Sequence, residues 1–159
     1  MLFTSIMHVS FYTEHFDEMA DFYQNRLGLP IKVLVRSKEY LDRPDRPAMQ
    51  KLAQKNPEGI FYVYFEIVPG QFIELFPATA GQKPHREWNE DCGYSHFALL
   101  TDDIFMTAEE FASRGVKPDT AISKGSSGTY QQWYHDPDGN RFELMQYTED
   151  SYQVIGHIG

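Results

Sequence analysis

Two histidines and two glutamates carry the chemistry that this chain offers. His8 lies in "IMHVSFY" and His96 in "YSHFALL", while Glu74 lies in "QFIELFP" and Glu143 in "NRFELMQY". Each stands among apolar residues, in a run that reads as a strand. A carboxylate turned toward an apolar interior is costly unless it has a partner or a metal. Taken singly, each Glu could face water and each His could be a hydrogen-bonded strand residue. The spacing decides otherwise, because the four residues come as two matched pairs.

The pairing follows from an internal repeat. With His8 aligned on His96, Thr13 falls on Thr101, Glu14 on Asp102, Ala20 on Ala108, Tyr23 on Phe111 and Arg26 on Arg114. Gly28 and Gly115 follow, one position out of register. Both copies read strand, acidic turn, helix, glycine stop. Thr13 and Thr101 precede acids and apolar helical residues, as helix starts do. Phe16, Met19, Phe22 and Tyr23 are spaced to form one apolar helix face, as are Ile104, Ala108 and Phe111.

The back halves repeat too. The first copy continues with strands over 31–37, 60–68 and 71–77, the last two joined by the "PG" turn at 69–70. The second continues with a short strand near "KPDTAIS" (117–123), then 129–136 and 140–147, joined by "DPDG". The closing strands contain "IEL" and "FEL", which matches Glu74 to Glu143. The fold class is therefore α+β, built from two βαβββ modules. The first spans 1–80 with an insertion at 37–59, and the second spans 91–150. Residues 81–90 link them, within the polar stretch "ATAGQKPHREWNED", and 151–159 form a C-terminal tail. The insertion reads as a charged excursion with a short helix over "AMQKLAQKN" and a possible role as a lid.

A pseudo-two-fold between the modules would bring His8, Glu74, His96 and Glu143 together. Two imidazoles and two carboxylates suit a divalent cation: Zn, Ni or Co first, then Mn or Fe, with positions left for water or substrate. Such a cation is also a legitimate partner for buried carboxylates.

This pattern resembles the vicinal oxygen chelate superfamily, also called glyoxalase/bleomycin resistance/dioxygenase. "MHVSFYTEHFDEMADFYQNRLGLP", "FIELF", "GYSHFALLTDD" and "DPDGNRFELMQ" carry the resemblance. It implies a U-shaped mixed sheet around a metal cavity, with His8, Glu74, His96 and Glu143 as metal ligands. The His-Glu-His-Glu set looks most like glyoxalase I (lactoylglutathione lyase). That activity turns the hemithioacetal of an α-oxoaldehyde and a thiol into a thioester through an enediolate. By resemblance the catalytic base is Glu143 or Glu74, and a homodimer is implied. Other readings of the same pattern are an epimerase, an extradiol-type dioxygenase, or a non-catalytic binder of small molecules such as antibiotics.

The pattern departs from bacterial glyoxalase I at two places. Tyr12 and Ala78 stand where that family commonly has an Arg and an Asn for glutathione. The pocket reads as aromatic instead, lined by Phe72, Phe76, Tyr64 and Trp133. Arg36, Arg141 and Lys124 are candidate anion holders. "SKGSSGT" (123–129) lacks the spacing of a phosphate loop and reads as a flexible loop at the cavity mouth.

Composition removes other classes. The net charge of −9, from 14 Lys+Arg against 23 Asp+Glu, argues against nucleic acid and anionic membranes as partners. No apolar run approaches the roughly 18 residues of a membrane span. "MLFTSIMHVSFY" has neither a basic region nor a small-residue cleavage site, so a cytoplasmic location is expected. Cys92, the single cysteine, supports neither a disulfide framework nor a Cys-based zinc site. The expected partner is a small-molecule substrate.

Overall fold

A computed structural model describes residues 2, 4–83, 90 and 92–158. The chain divides into two compact units, Met1–Pro84 and His85–Gly159. Residues 84–89 and 91 of the expected linker stretch lie outside the described residues.

In the first unit, strands β1 (His8–Thr13), β2 (Ile31–Arg36), β3 (Ile60–Val68) and β4 (Gln71–Pro77) form one mixed sheet in the order β1-β4-β3-β2. β1 runs parallel to β4, and the other neighbours are antiparallel. The parallel pair needs a crossover, which helix α1 (Phe16–Asp21) begins. Its continuation over Phe22–Arg26 widens into a π-helical turn, with Leu27 N–H donating to the Phe22 carbonyl at 2.9 Å. Thr13 starts the crossover as a turn residue: its hydroxyl accepts from the His15 N–H at 2.9 Å.

Side chains alternate across β3 and β4. Val63, Phe65, Ile73 and Leu75 turn to one face and are buried with Met19, Phe22 and Tyr23 of the helix. Tyr23 meets Phe65 with ring centroids 5.9 Å apart. The opposite face carries Glu74, with Phe72 and Phe76 half-buried beside it. The insertion holds a 3-10 turn over Ser37–Tyr40 and helix α2 (Pro47–Lys55). Its ends are tied together by Ser37 N–H to the Gly59 carbonyl, 2.9 Å, and Lys38 N–H to that of Pro57, 2.8 Å.

The second unit repeats this plan. Strands β5 (Phe97–Leu100), β6 (Ser123–Lys124), β7 (Tyr130–His135) and β8 (Arg141–Gln146) lie in the order β5-β8-β7-β6, with β5 parallel to β8. The crossover is helix α3 (Ile104–Ser113), started by Asp103, whose carboxylate accepts from Met106 N–H at 3.0 Å. It stops at Gly115, whose φ of +78° suits a residue without a Cβ. Ile104 and Phe111 are buried from the helix, and Tyr134, Phe142 and Leu144 from the strands. Phe111 meets Tyr134 edge-on at 5.4 Å, the counterpart of Tyr23 on Phe65.

The architecture is thus α+β, two βαβββ units with four-stranded mixed sheets, as the repeat requires. The strand expected over 117–123 is a correction: only Ser123 and Lys124 pair with β7. Upstream, Asp119 N–H donates to the Trp133 carbonyl at 2.8 Å, and Trp133 N–H to the Thr120 hydroxyl at 3.1 Å. A side chain thereby replaces a rung that a continuous ladder would have made with backbone.

The 123–129 stretch closes as a turn, with Gly125 N–H donating to the Thr129 carbonyl at 2.9 Å. The C-terminal tail pins it. Tyr152, the first residue of helix α4 (Tyr152–Ile155), donates its N–H to the Ser127 carbonyl at 2.8 Å. Thr129 and Ser151, both fully buried, join hydroxyl to hydroxyl at 3.1 Å. The described tail is therefore anchored on its own unit, and His157 stacks on Tyr152 at 4.0 Å.

Candidate functional site

Each unit presents one His–Glu pair, placed by the same strand logic. In the first, the parallel register sets Ser10 beside Glu74, so His8, two residues earlier, shares that face. In the second, Ala98 stands beside Glu143, and His96 occupies the equivalent place just before β5. His8 Nε2 lies 3.5 Å from Glu74 Oε2, and His96 Nε2 lies 3.4 Å from Glu143 Oε2. The environments match as well. The imidazoles are each 34% exposed, against 7% for the Glu74 side chain and 11% for that of Glu143.

Those distances exceed the about 2.9 Å of a good N–H···O hydrogen bond. Two atoms bound about 2.1 Å from one small divalent cation stand about 3.0–3.4 Å apart, from octahedral to tetrahedral geometry. The donor set and its spacing therefore fit a borderline-to-hard cation. Each unit gives such a pair, and among the described residues there is no group of three or more His, Cys, Asp or Glu that could hold a metal.

Aromatic rings brace both pairs. β3 and β4 set Tyr64 directly opposite Glu74, and β7 and β8 set Trp133 opposite Glu143. Tyr64 lies 5.7 Å from the His8 ring, and Trp133 meets His96 edge-on at 4.8 Å. Burial pushes the Tyr64 phenol up to about 12, and the Glu74 carboxylate opposite it adds to the effect. Tyr64 is thus a neutral hydroxyl beside Glu74 across the ordinary pH range. His96 has a further partner, with Nδ1 3.0 Å from the Ser95 hydroxyl. Sequence comparison of the two copies gave no sign of it, because Met7 stands in the place of Ser95 in the first.

The other candidates separate. Phe72 and Phe76 share the Glu74 face: Phe72 stacks on Tyr64 at 5.4 Å and Phe76 on Tyr12 at 5.0 Å. Of the proposed anion holders, Arg36 and Lys124 pair with groups of their own unit. Arg36 donates to the Glu58 carbonyl at 2.6 Å, and Lys124 lies 3.4 Å from Asp150. Arg141 stands two residues before Glu143 on the same strand. Cys92 is an exposed free thiol. The "DPDG" turn is structural: the buried Asp136 carboxylate accepts from Asp138 and Asn140 N–H at 3.1 and 2.9 Å, setting the entry to β8. Among the described residues no helix is long and apolar enough to cross a membrane.

A family model for the Glyoxalase/Bleomycin resistance protein/Dioxygenase superfamily matches residues 5–144, and the chain belongs to that superfamily. No curated relative matches it in sequence. Solved structures share its fold at low identity. A glyoxalase family protein from Enterococcus faecalis is 19% identical, with a TM-score of 0.66, covering 91% of this chain and 99% of its own. A glyoxalase/bleomycin resistance protein/dioxygenase from Nocardioides is 17% identical, with a TM-score of 0.64, covering 100% and 92%. A lactoylglutathione lyase from Agrobacterium tumefaciens is 19% identical, with a TM-score of 0.58, covering 92% and 96%.

Proposed function

We propose that this superfamily member is a metal-dependent lyase of the glyoxalase I kind, acting on the hemithioacetal of an α-oxoaldehyde and a thiol. The observation that carries the reading is the duplicated His–Glu pair, with Nε2 and Oε2 at 3.5 Å in one unit and 3.4 Å in the other. His8, Glu74, His96 and Glu143 would together hold one divalent cation, with Zn, Ni or Co the best match to two imidazoles and two carboxylates. When bound, the cation would polarise the substrate's two adjacent oxygens and offset the negative charge that develops there.

The residues of the chain do the rest. A carboxylate, Glu143 or Glu74, takes the proton from the carbon bearing the hydroxyl and the sulfur and returns it to the neighbouring carbonyl carbon, while the hydroxyl proton passes to the former carbonyl oxygen, leaving the new carbonyl beside sulfur. The aromatic side chains beside Glu74 line the approach and limit water at the reacting carbons. Because Tyr12 and Ala78 offer no charged group there, the thiol is not restricted to glutathione. The protein is further proposed to work as a homodimer.

The test is metal content of the purified protein, followed by methylglyoxal turnover with several thiols before and after chelation. Thiol-dependent turnover that chelation removes and Ni, Co or Zn restores supports the reading. Metal binding without thiol-dependent turnover sinks it and favours a different reaction or a binding protein.

A further inference from the structure

We propose that the Glu74 face of the first unit is a stacking surface for an uncharged planar aromatic group of the substrate, with Tyr40 of the insertion as a specificity-determining residue at one end of it. The inference rests on the functional reading above and names the group that the substrate carries beyond its reacting carbons.

Strand alternation puts Tyr12, Tyr62, Tyr64, Phe72 and Phe76 on the face that carries Glu74. Their rings touch in a row. Tyr12 stacks on Phe76 at 5.0 Å, Phe76 meets Tyr62 at 5.5 Å, Tyr62 stacks on Tyr64 at 5.3 Å and Tyr64 on Phe72 at 5.4 Å. The insertion extends the row, because Tyr40 lies 4.3 Å from Phe61, which meets Phe76 edge-on at 6.0 Å. Each of these rings keeps some solvent exposure. A contiguous apolar face left partly open in this way marks a binding site.

The second unit shows that the sheet does not need these rings. Leu100, Gln131, Arg141 and Met145 stand at the positions of Tyr12, Tyr62, Phe72 and Phe76, and the strand order is the same. Tyr40 comes from the insertion between β2 and β3, where the second unit has only the 125–129 turn. Charge selects the occupant. Lys32 on β2 lies 3.3 Å from Glu66, and at the neck of the insertion Lys38 lies 3.3 Å from Glu58 and Arg36 donates to the Glu58 carbonyl at 2.6 Å. Burial pushes the Tyr62 and Tyr64 phenols up, so both stay neutral. An anionic group would meet Glu74 while these cations hold other partners. A neutral ring stacks on neighbouring rings without a counter-charge.

Binding to the metal-free full-length protein gives the test, by NMR titration with phenacyl alcohol and with hydroxyacetone, ketols that differ by phenyl for methyl. Phenacyl alcohol is expected to bind at least about 10-fold tighter. Tyr40→Leu keeps an apolar side chain without the ring; it should weaken phenacyl alcohol about 2–10-fold and leave hydroxyacetone unchanged. Tyr40→Phe should bind as wild type does. Turnover by the Ni-loaded protein then says which half of the substrate carries the ring. Phenylglyoxal with β-mercaptoethanol and methylglyoxal with benzyl mercaptan are each compared with methylglyoxal and β-mercaptoethanol, and a higher kcat/KM is expected for one of the aryl pairs. No binding of phenacyl alcohol, equal affinity for the two ketols, wild-type affinity in Tyr40→Leu, or equal kcat/KM for all three pairs would overturn the inference. So would a homodimer that Tyr40→Leu dissociates, which gives the face to a second copy of the chain. Aryl-selective binding by a protein that turns over none of the pairs sinks the lyase reading and leaves the stacking surface standing.

Discussion

His96 and Glu143 stand with Nε2 and Oε2 3.4 Å apart, one of two such pairs that the chain builds from stretches distant in sequence. Hydrogen bonding alone would draw the atoms closer. The proposed reading, in which one cation takes both pairs, would account for the spacing in each unit. One ion per chain is therefore expected, and His8→Ala and His96→Ala should each reduce its binding. Each loss should exceed the about 10–100-fold that removal of an outer partner costs. Isothermal titration with Ni or Co and elemental analysis check this. Two ions per chain, each lost with only one histidine, would show that the pairs act separately.

The repeat made the four candidate ligands legible, because "IEL" and "FEL" close the two copies and fix which glutamates correspond. β3 and β4 were legible to the residue, since a continuous apolar run broken by "PG" leaves little freedom in where a hairpin turns. Tertiary partners decide the rest. The helix widens over Phe22–Arg26, where Tyr23 seats against Phe65, and no local sequence signal marks that change. The missing strand at 117–122 depends on the Thr120 hydroxyl taking the Trp133 N–H. The placement of Tyr64 opposite Glu74 exists only in the folded register, and the sequence marked Tyr64 merely as a pocket wall. The "SKGSSGT" composition suggests flexibility, while its order comes from Ser151 and Tyr152 more than twenty residues downstream.

Equivalent core positions should respond alike. Tyr23 is fully buried and Phe111 nearly so, each against an aromatic ring of its own sheet. Tyr23→Ala and Phe111→Ala are each expected to cost about 3–5 kcal/mol. Denaturant unfolding followed by tryptophan fluorescence and circular dichroism measures both. A loss below about 1 kcal/mol at either position would mean that the helix is not seated as described.

Tyrosine ionisation sets an alkaline limit on stability. Burial pushes the Tyr134 phenol up to about 12, and its hydroxyl donates to Gln132 Oε1 at 2.7 Å. In the unfolded chain a phenol titrates near its ordinary value of about 10. Between about pH 10 and 12 the folded state then holds more protons than the unfolded one, so stability falls as pH rises. The contribution is fully present below about pH 10. Unfolding midpoints should be flat from pH 8 to 9.5 and fall above about pH 10, while part of the phenolate absorbance near 295 nm appears only as the protein unfolds. A set of tyrosines that all ionise near pH 10 without loss of structure would contradict this.

Two glycines with nearly the same backbone should differ in cost. Gly115 has φ +78° and Gly128 φ +77°, conformations that an L-residue adopts at about 1–2 kcal/mol. A Cβ at Gly115 meets nothing within 4 Å, whereas one at Gly128 would lie 2.7 Å from the Asp150 carbonyl. That carbonyl is backbone and cannot rotate aside. It also belongs to the segment that carries Ser151 to Thr129, and the Gly128 carbonyl accepts from the Thr148 hydroxyl at 2.7 Å. Gly115→Ala should therefore cost about 1–2 kcal/mol. Gly128→Ala should cost more and release the tail. The releasing effect is visible as faster amide exchange at Tyr152, whose N–H is otherwise held by the Ser127 carbonyl. Equal destabilisation by the two substitutions, with Tyr152 still protected, would mean that the tail does not depend on the close approach at Gly128.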